Sequence, residues 1–340
     1  MVSHYYKVPI SRRCFVLGAG VIGPGLLVGC GQWPGQAPVP AKVPRLGVGL
    51  GSASERYATA LLDGLRELGY VEGHNLTVES RFTVGSRERV VEAVAALVAL
   101  NVDVIVVTGV TAARAAQAAT RTIPIVIVML SDPVASGFVA SLARPGGNIT
   151  GLGSFGSAVA LRGKAFQLLV ETIPAVARVG ILWEASNPIV RSQVQQLQEA
   201  GPALGVHVES LAISEPHELA SAVQAGIEAR LDAIYTLQTE LTIAQRPRIL
   251  ELLAQARLPA MYEIRDWTEA GGLMSYGPSF VAMHRRAAYY VDRILKGAKP
   301  ADLPVEQARE FEFVINIRTA QALGLTIPDR VLLQTTEIIQ

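Results

Sequence analysis

Cysteine is nearly absent from this 340-residue chain: Cys14 and Cys30 are the only two, both within the first thirty residues. The rest of the sequence can therefore hold neither a disulfide framework nor a thiolate metal site. Histidine is scarce as well. His4, His74, His207, His217 and His284 include no i, i+4 pair, so no metal site is expected. An excess of one charge is also missing, since 30 basic residues face 29 acidic ones and only 17% of the chain is charged. That balance offers no basic face to nucleic acid and argues against sequence-specific DNA binding.

Acidic residues are missing altogether from Met1 to Ser54, while Lys7, Arg12 and Arg13 precede an uncharged apolar run from Cys14 to Cys30. A basic stretch followed by an apolar one reads as an export signal. Gly18, Gly20, Gly23, Pro24 and Gly25 interrupt the run, which suits a cleavable segment better than a permanent span. Ser11-Arg12-Arg13-Cys14-Phe15-Val16-Leu17 resembles a twin-arginine export motif, and Leu27-Val28-Gly29-Cys30 resembles a bacterial lipobox, whose cysteine is lipidated and becomes residue one. Residues 1–29 are thus read as a signal peptide, and 30–44 as a lipidated Cys30 with a Pro-rich linker. The mature chain is expected outside the cytoplasm, in the periplasm or on the outer face of the cell membrane. Gly18-Ala19-Gly20-Val21-Ile22-Gly23 matches G-x-G-x-x-G, but Pro24 and Gly25 break the helix that a dinucleotide loop needs. The first acid, Glu55, also comes too late for its ribose.

After Cys30 about 310 residues remain, which is comfortable for two domains. From Leu46 onward short β-branched runs alternate with amphipathic stretches, the pattern of βαβ units around parallel sheets. Strands are expected at Arg45 to Leu50, Leu76 to Phe82, Val104 to Thr108 and Ile125 to Val128, with helices between them. The same grammar returns between Leu161 and Ala270. A late helix at Met283 to Leu295 and a strand at Glu310 to Ile315 suggest that the chain crosses back, so that distant segments complete each lobe. The expected fold class is α/β: two doubly wound parallel-sheet lobes joined by a multi-crossing hinge. Lobe 1 takes 45–152 plus 279–305, and lobe 2 takes 153–278 plus 306–340.

In open parallel sheets ligands bind at the carboxyl ends of the strands. Small hydroxyl, amide and acidic residues recur there, and Ser52, Thr108, Ser131, Asp132, Asn187, Gln238 and Tyr276 are the candidate ligand-binding residues. Helix N-termini and hydroxyls suit an anionic group such as a carboxylate, and Asp132 or Glu240 suits an amine. Capping is the competing role for Ser52, Thr108, Ser131 and Asn187, a turn for Asp132-Pro133, and core packing for Tyr276. No Ser-His-acid or Cys-His set stands at these ends, so no catalysis and no cofactor are expected.

Several longer stretches carry a family likeness: Leu68-Gly69-Tyr70-Val71-Glu72-Gly73-His74-Asn75-Leu76, Ile123-Pro124-Ile125-Val126, Ser131-Asp132-Pro133-Val134, Arg144-Pro145-Gly146-Gly147-Asn148-Ile149-Thr150-Gly151, Gly271-Gly272-Leu273-Met274-Ser275-Tyr276-Gly277 and Ala322-Leu323-Gly324-Leu325-Thr326-Ile327-Pro328. Together they resemble the substrate-binding proteins of ABC importers, in the branch with tryptophan- and phenylalanine-binding members. The resemblance implies a type 1 periplasmic-binding-protein fold that closes on one small solute. It also implies ABC permease and ATPase subunits as partners; a monomer, held to the membrane through the lipid that the lipobox places on Cys30, is expected. A ligand sensor for a signalling partner, and an enzyme on the same scaffold, are the rival functions.

Overall fold

The computed structural model describes residues 42–50, 55–82, 87–130, 132–153 and 158–340. The leader with Cys30, and the candidates Ser52 and Ser131, lie outside the described residues. The chain first builds β1 (Arg45–Leu50), α1 (Glu55–Glu67), β2 (Thr77–Phe82), α2 (Arg87–Ala99), β3 (Val104–Thr108), α3 (Val110–Ala119), β4 (Ile125–Leu130) and β5 (Ile149–Gly153). It continues through α4 (Ala158–Thr172), β6 (Arg178–Glu184), α5 (Pro188–Ala200), β7 (His207–Ile213), α6 (Leu219–Glu228), β8 (Ala233–Thr236), α7 (Glu240–Ala244), α8 (Arg246–Gln255), β9 (Ala260–Tyr262), α9 (Arg265–Glu269) and β10 (Met274–Pro278). The tail forms α10 (Phe280–Leu295), β11 (Glu306–Gln307), β12 (Phe311–Asn316), α11 (Ile317–Leu323), α12 (Asp329–Leu332) and β13 (Glu337–Ile339).

Two sheets result, in the orders β11-β5-β4-β3-β1-β2 and β13-β12-β10-β9-β8-β6-β7. All pairings are parallel except that of β10 with β12. A parallel sheet is covered on both faces, and β3 and β4 show it as unbroken apolar runs. Val104 and Val106 turn toward Tyr57 and Leu61 of α1 and Ala287 and Val291 of α10. Their neighbours Ile105 and Val107 turn the other way, toward Val90 and Val94 of α2 and Ala112, Ala113 and Ala116 of α3. In the second sheet Tyr235 and Met261 pack with Phe166 and Leu169 of α4.

The chain passes between the sheets three times, after β5, after β10 and after β11. The returning α10 covers one face of the first sheet, and β11 pairs with β5 through Glu306↔Leu152 and Gln307↔Gly153. Glu306 and Gln307 therefore belong to the first sheet, two residues beyond the boundary the sequence suggested. The helical stretch after β8 is broken into α7 and α8, because Pro247 enters at the first turn of α8 and supplies no backbone N–H to continue α7.

Candidate functional site

The segments that follow β1 and β3 in the first lobe meet those that follow β8 and β9 in the second along one crevice. Two polar bridges span it. The Thr111 hydroxyl, in the first turn of α3, donates to Glu240 at the start of α7. Farther along, Arg56 in the first turn of α1 pairs with Asp266 and Glu269 of α9, and the Tyr57 hydroxyl donates to Asp266 Oδ1 over 2.6 Å. Burial, with Asp266 beside it, pushes the Tyr57 phenol well up, so it stays a donor.

On the first lobe Thr108 ends β3 with a buried side chain. Its Oγ1 lies 2.9 Å from Nε2 of His284, whose Nδ1 lies 2.7 Å from the Phe280 carbonyl. A carbonyl only accepts, so Nδ1 carries the hydrogen, Nε2 accepts, and the Thr108 hydroxyl donates to it. Any further partner of Thr108 Oγ1 must then be a donor. The His284 ring stacks on Tyr57, with centroids 4.8 Å apart and planes at 7°. Burial pushes the imidazole down to about 4, and it is neutral at physiological pH. Asp132 is exposed, and its Oδ1 accepts from the backbone N–H groups of Val134 and Ala135 at 3.1 and 2.8 Å. Asn187 Oδ1 accepts from Val190 N at the start of α5. Both thus make the local capping contacts that compete with a ligand role.

On the second lobe Gln238 follows β8. Its backbone N–H donates to Glu263 Oε2 over 3.0 Å, while its own Oε1 is buried with no hydrogen-bond partner among the described residues. Tyr276 is half-buried, stacked 6.4 Å from Phe311 and edge-on to Phe313 at 6.2 Å, and burial raises its phenol. These two are the candidates on the second lobe whose side-chain polar atoms have no hydrogen-bond partner among the described residues.

The sequence reading missed a buried ion pair. Arg162 Nε of α4 donates to Glu263 Oε1 over 2.9 Å, each side chain being 8% exposed, and the Tyr235 hydroxyl approaches the same oxygen at 3.4 Å. Glu263 follows β9 just as Gln238 follows β8, so the strand-end rule applied to β9 would have found it. Glu263 holds the loop bearing Gln238 by its backbone, and a Thr239-Thr242 capping box starts α7 behind that loop. Across the lobes, a void lined by Arg56, Tyr57, Phe280 and Glu312 measures only about 10 Å3. Among the described residues no cluster of three His, Cys, Asp or Glu stands ready for a metal.

The set is one of donors, acceptors and aromatic faces, suited to holding a solute rather than transforming it. The sequence profile of the ABC transporter substrate binding protein family matches residues 51–339. The chain belongs to this family. It is 23% identical, over 90% of both chains, to the tyrosine-binding protein of Clostridioides difficile strain R20291. The structure of an ABC domain in complex with L-Trp from Streptococcus pneumoniae aligns with a TM-score of 0.76 at 27% identity, covering 87% of this chain and 99% of that one. A conserved domain protein from Vibrio cholerae aligns with a TM-score of 0.76 at 29% identity, covering 87% and 100%. The substrate-binding protein therefore has the periplasmic-binding-protein fold, works outside the cytoplasm, and binds a small ligand without being an enzyme. No helix among the described residues is long and apolar enough to cross a membrane.

Proposed function

We propose that this substrate-binding protein is the monomeric receptor of an ABC importer for an amino-acid-like solute with an aromatic side chain. The observation that carries the reading is the Gln238 amide. Its buried, unpartnered Oε1 is held at the crevice by the Glu263-Arg162 pair, and such an acceptor calls for a donor such as an ammonium group. A relative named for tyrosine and another solved in complex with L-Trp support the same class. Thr108, Asp132, Asn187, Gln238 and Tyr276, with Ser52 and Ser131, are the proposed contacts, Tyr276 offering a flat face to the ring. Lobe closure around the solute is the signal that permease and ATPase read. Export through the twin-arginine-like leader and a lipid on Cys30 keep the receptor beside them, raising its effective concentration there.

A calorimetric titration of the mature protein with L-tyrosine, L-tryptophan, L-phenylalanine, glucose and ribose tests the reading. Saturable binding of an aromatic amino acid, weakened about tenfold or more by Gln238→Ala, is expected. Binding of the sugars alone, or aromatic binding indifferent to Gln238→Ala, overturns it.

A further inference from the structure

A second void lies away from the crevice. It measures about 350 Å3, within the range of about 300–1,000 Å3 usual for small-molecule pockets, and lies beside the N-terminal ends of β9 and β10. Helices α8 and α11 flank it, and its cause is the small size of what lies between them: Ala254 and Ala322 on the helices, Ala260 and Gly272 on the sheet side. One wall is the Tyr262 ring, backed by Trp267 with centroids 4.6 Å apart and planes at 10°. Gly272 is pressed against that ring, for a Cβ there would come within 2.5 Å of it. The wall is therefore fixed, and nothing larger than glycine fits beside it.

The ionisable groups lining this cavity are of one sign. Arg257 and Arg318 line it, with no carboxylate among the lining residues. Arg257 donates to the Ala322 carbonyl at the end of α11 over 3.3 Å, and Arg318 is exposed with no acidic partner among the described residues. Apolar walls with two cationic donors in the lining match a ligand with an apolar body and a negative head.

We propose that this cavity is a second ligand site, separate from the crevice, for a small amphipathic monoanion. The apolar body lies against Tyr262, Leu253 and Leu323, and its carboxylate or sulfonate meets Arg257 and Arg318. Occupation ties α8 to α11 across the gap. The site stands whether or not the crevice takes an aromatic amino acid.

The test is a fluorescence titration of the mature protein with 1-anilinonaphthalene-8-sulfonate, which has such a body and one sulfonate. Saturable one-to-one binding is expected. Arg318→Glu, a surface change, should weaken it about tenfold or more by replacing an attraction with a repulsion, and Ala254→Phe should abolish it by filling the void. Gln238→Ala should leave it unchanged. Absence of saturable binding, indifference to Arg318→Glu, or loss in Gln238→Ala with retention in Arg318→Glu overturns the proposal.

Discussion

The two lobes anchor their strand ends by opposite chemistry. In the first, Thr108, His284 and Tyr57 form an uncharged cluster, in which burial keeps the imidazole neutral and its tautomer is fixed by the Phe280 carbonyl. In the second, the ends of β8 and β9 are held by an ion pair, Arg162 and Glu263, with hydrogen bonds from Tyr235 and the Gln238 backbone. A neutral cluster breaks when a proton enters it, whereas a paired one breaks when a partner leaves. The difference makes the lobes separable by experiment.

The largest effect is expected from removing one charge of the pair. Glu263→Ala strands Arg162 in the interior and should cost about 3–5 kcal/mol, read from the urea midpoint at unchanged slope. A loss below about 1 kcal/mol would mean that the pair is far better solvated than its geometry says. Next comes acid. The His284 imidazole titrates near 6.5 unfolded but is pushed down to about 4 when folded, so between those values the unfolded chain binds the extra proton. Its contribution is complete above pH 6.5, declines as the pH falls toward 4, and amounts to on the order of 3 kcal/mol. Tyr57 and Thr108 are its immediate neighbours and Asp266 the nearby carboxylate. His284→Gln should flatten the stability profile over that window, and an unchanged slope would remove His284 from the account. The smallest effect belongs to the bridge between the lobes. Arg56 is partly exposed, and Arg56→Ala should cost only about 0.2–1 kcal/mol of stability, while small-angle scattering should show a more open ligand-free form. Unchanged scattering would show that the bridge does not hold the lobes together.

Much of this fold was legible because burial writes itself into composition. The valine and isoleucine runs of β3 and β4 have no other use, and the late helix at Met283 to Leu295 announced the return crossing now seen as α10. Strands β5 and β10 were not read as strands, since each carries a glycine where side-chain pattern is expected. Both glycines answer to close backbone approach: a Cβ on Gly151 would lie 2.1 Å from the Ile127 carbonyl oxygen, and one on Gly277 would lie 1.8 Å from that of Glu263. Such contacts are non-local and leave no periodicity. At the site, Gln238 was found by position alone. His284 passed as one scattered histidine, and Arg162 as one charge on an amphipathic helix, because their meaning comes from partners 176 and 101 residues away.

The late position of α10 also sets a timetable. Val104, Val106, Val126 and Val128 lie on the strands that α10 covers, yet about 140 residues are translated between the end of β5 and the end of that helix. At about 5–20 residues per second, the part of the first sheet's apolar face that α1 leaves to α10 stays uncovered for roughly 7–30 s of synthesis. During that interval the nascent chain is a client for whatever binds exposed hydrophobic surface, and its commitment to the native state waits on the last third of the message.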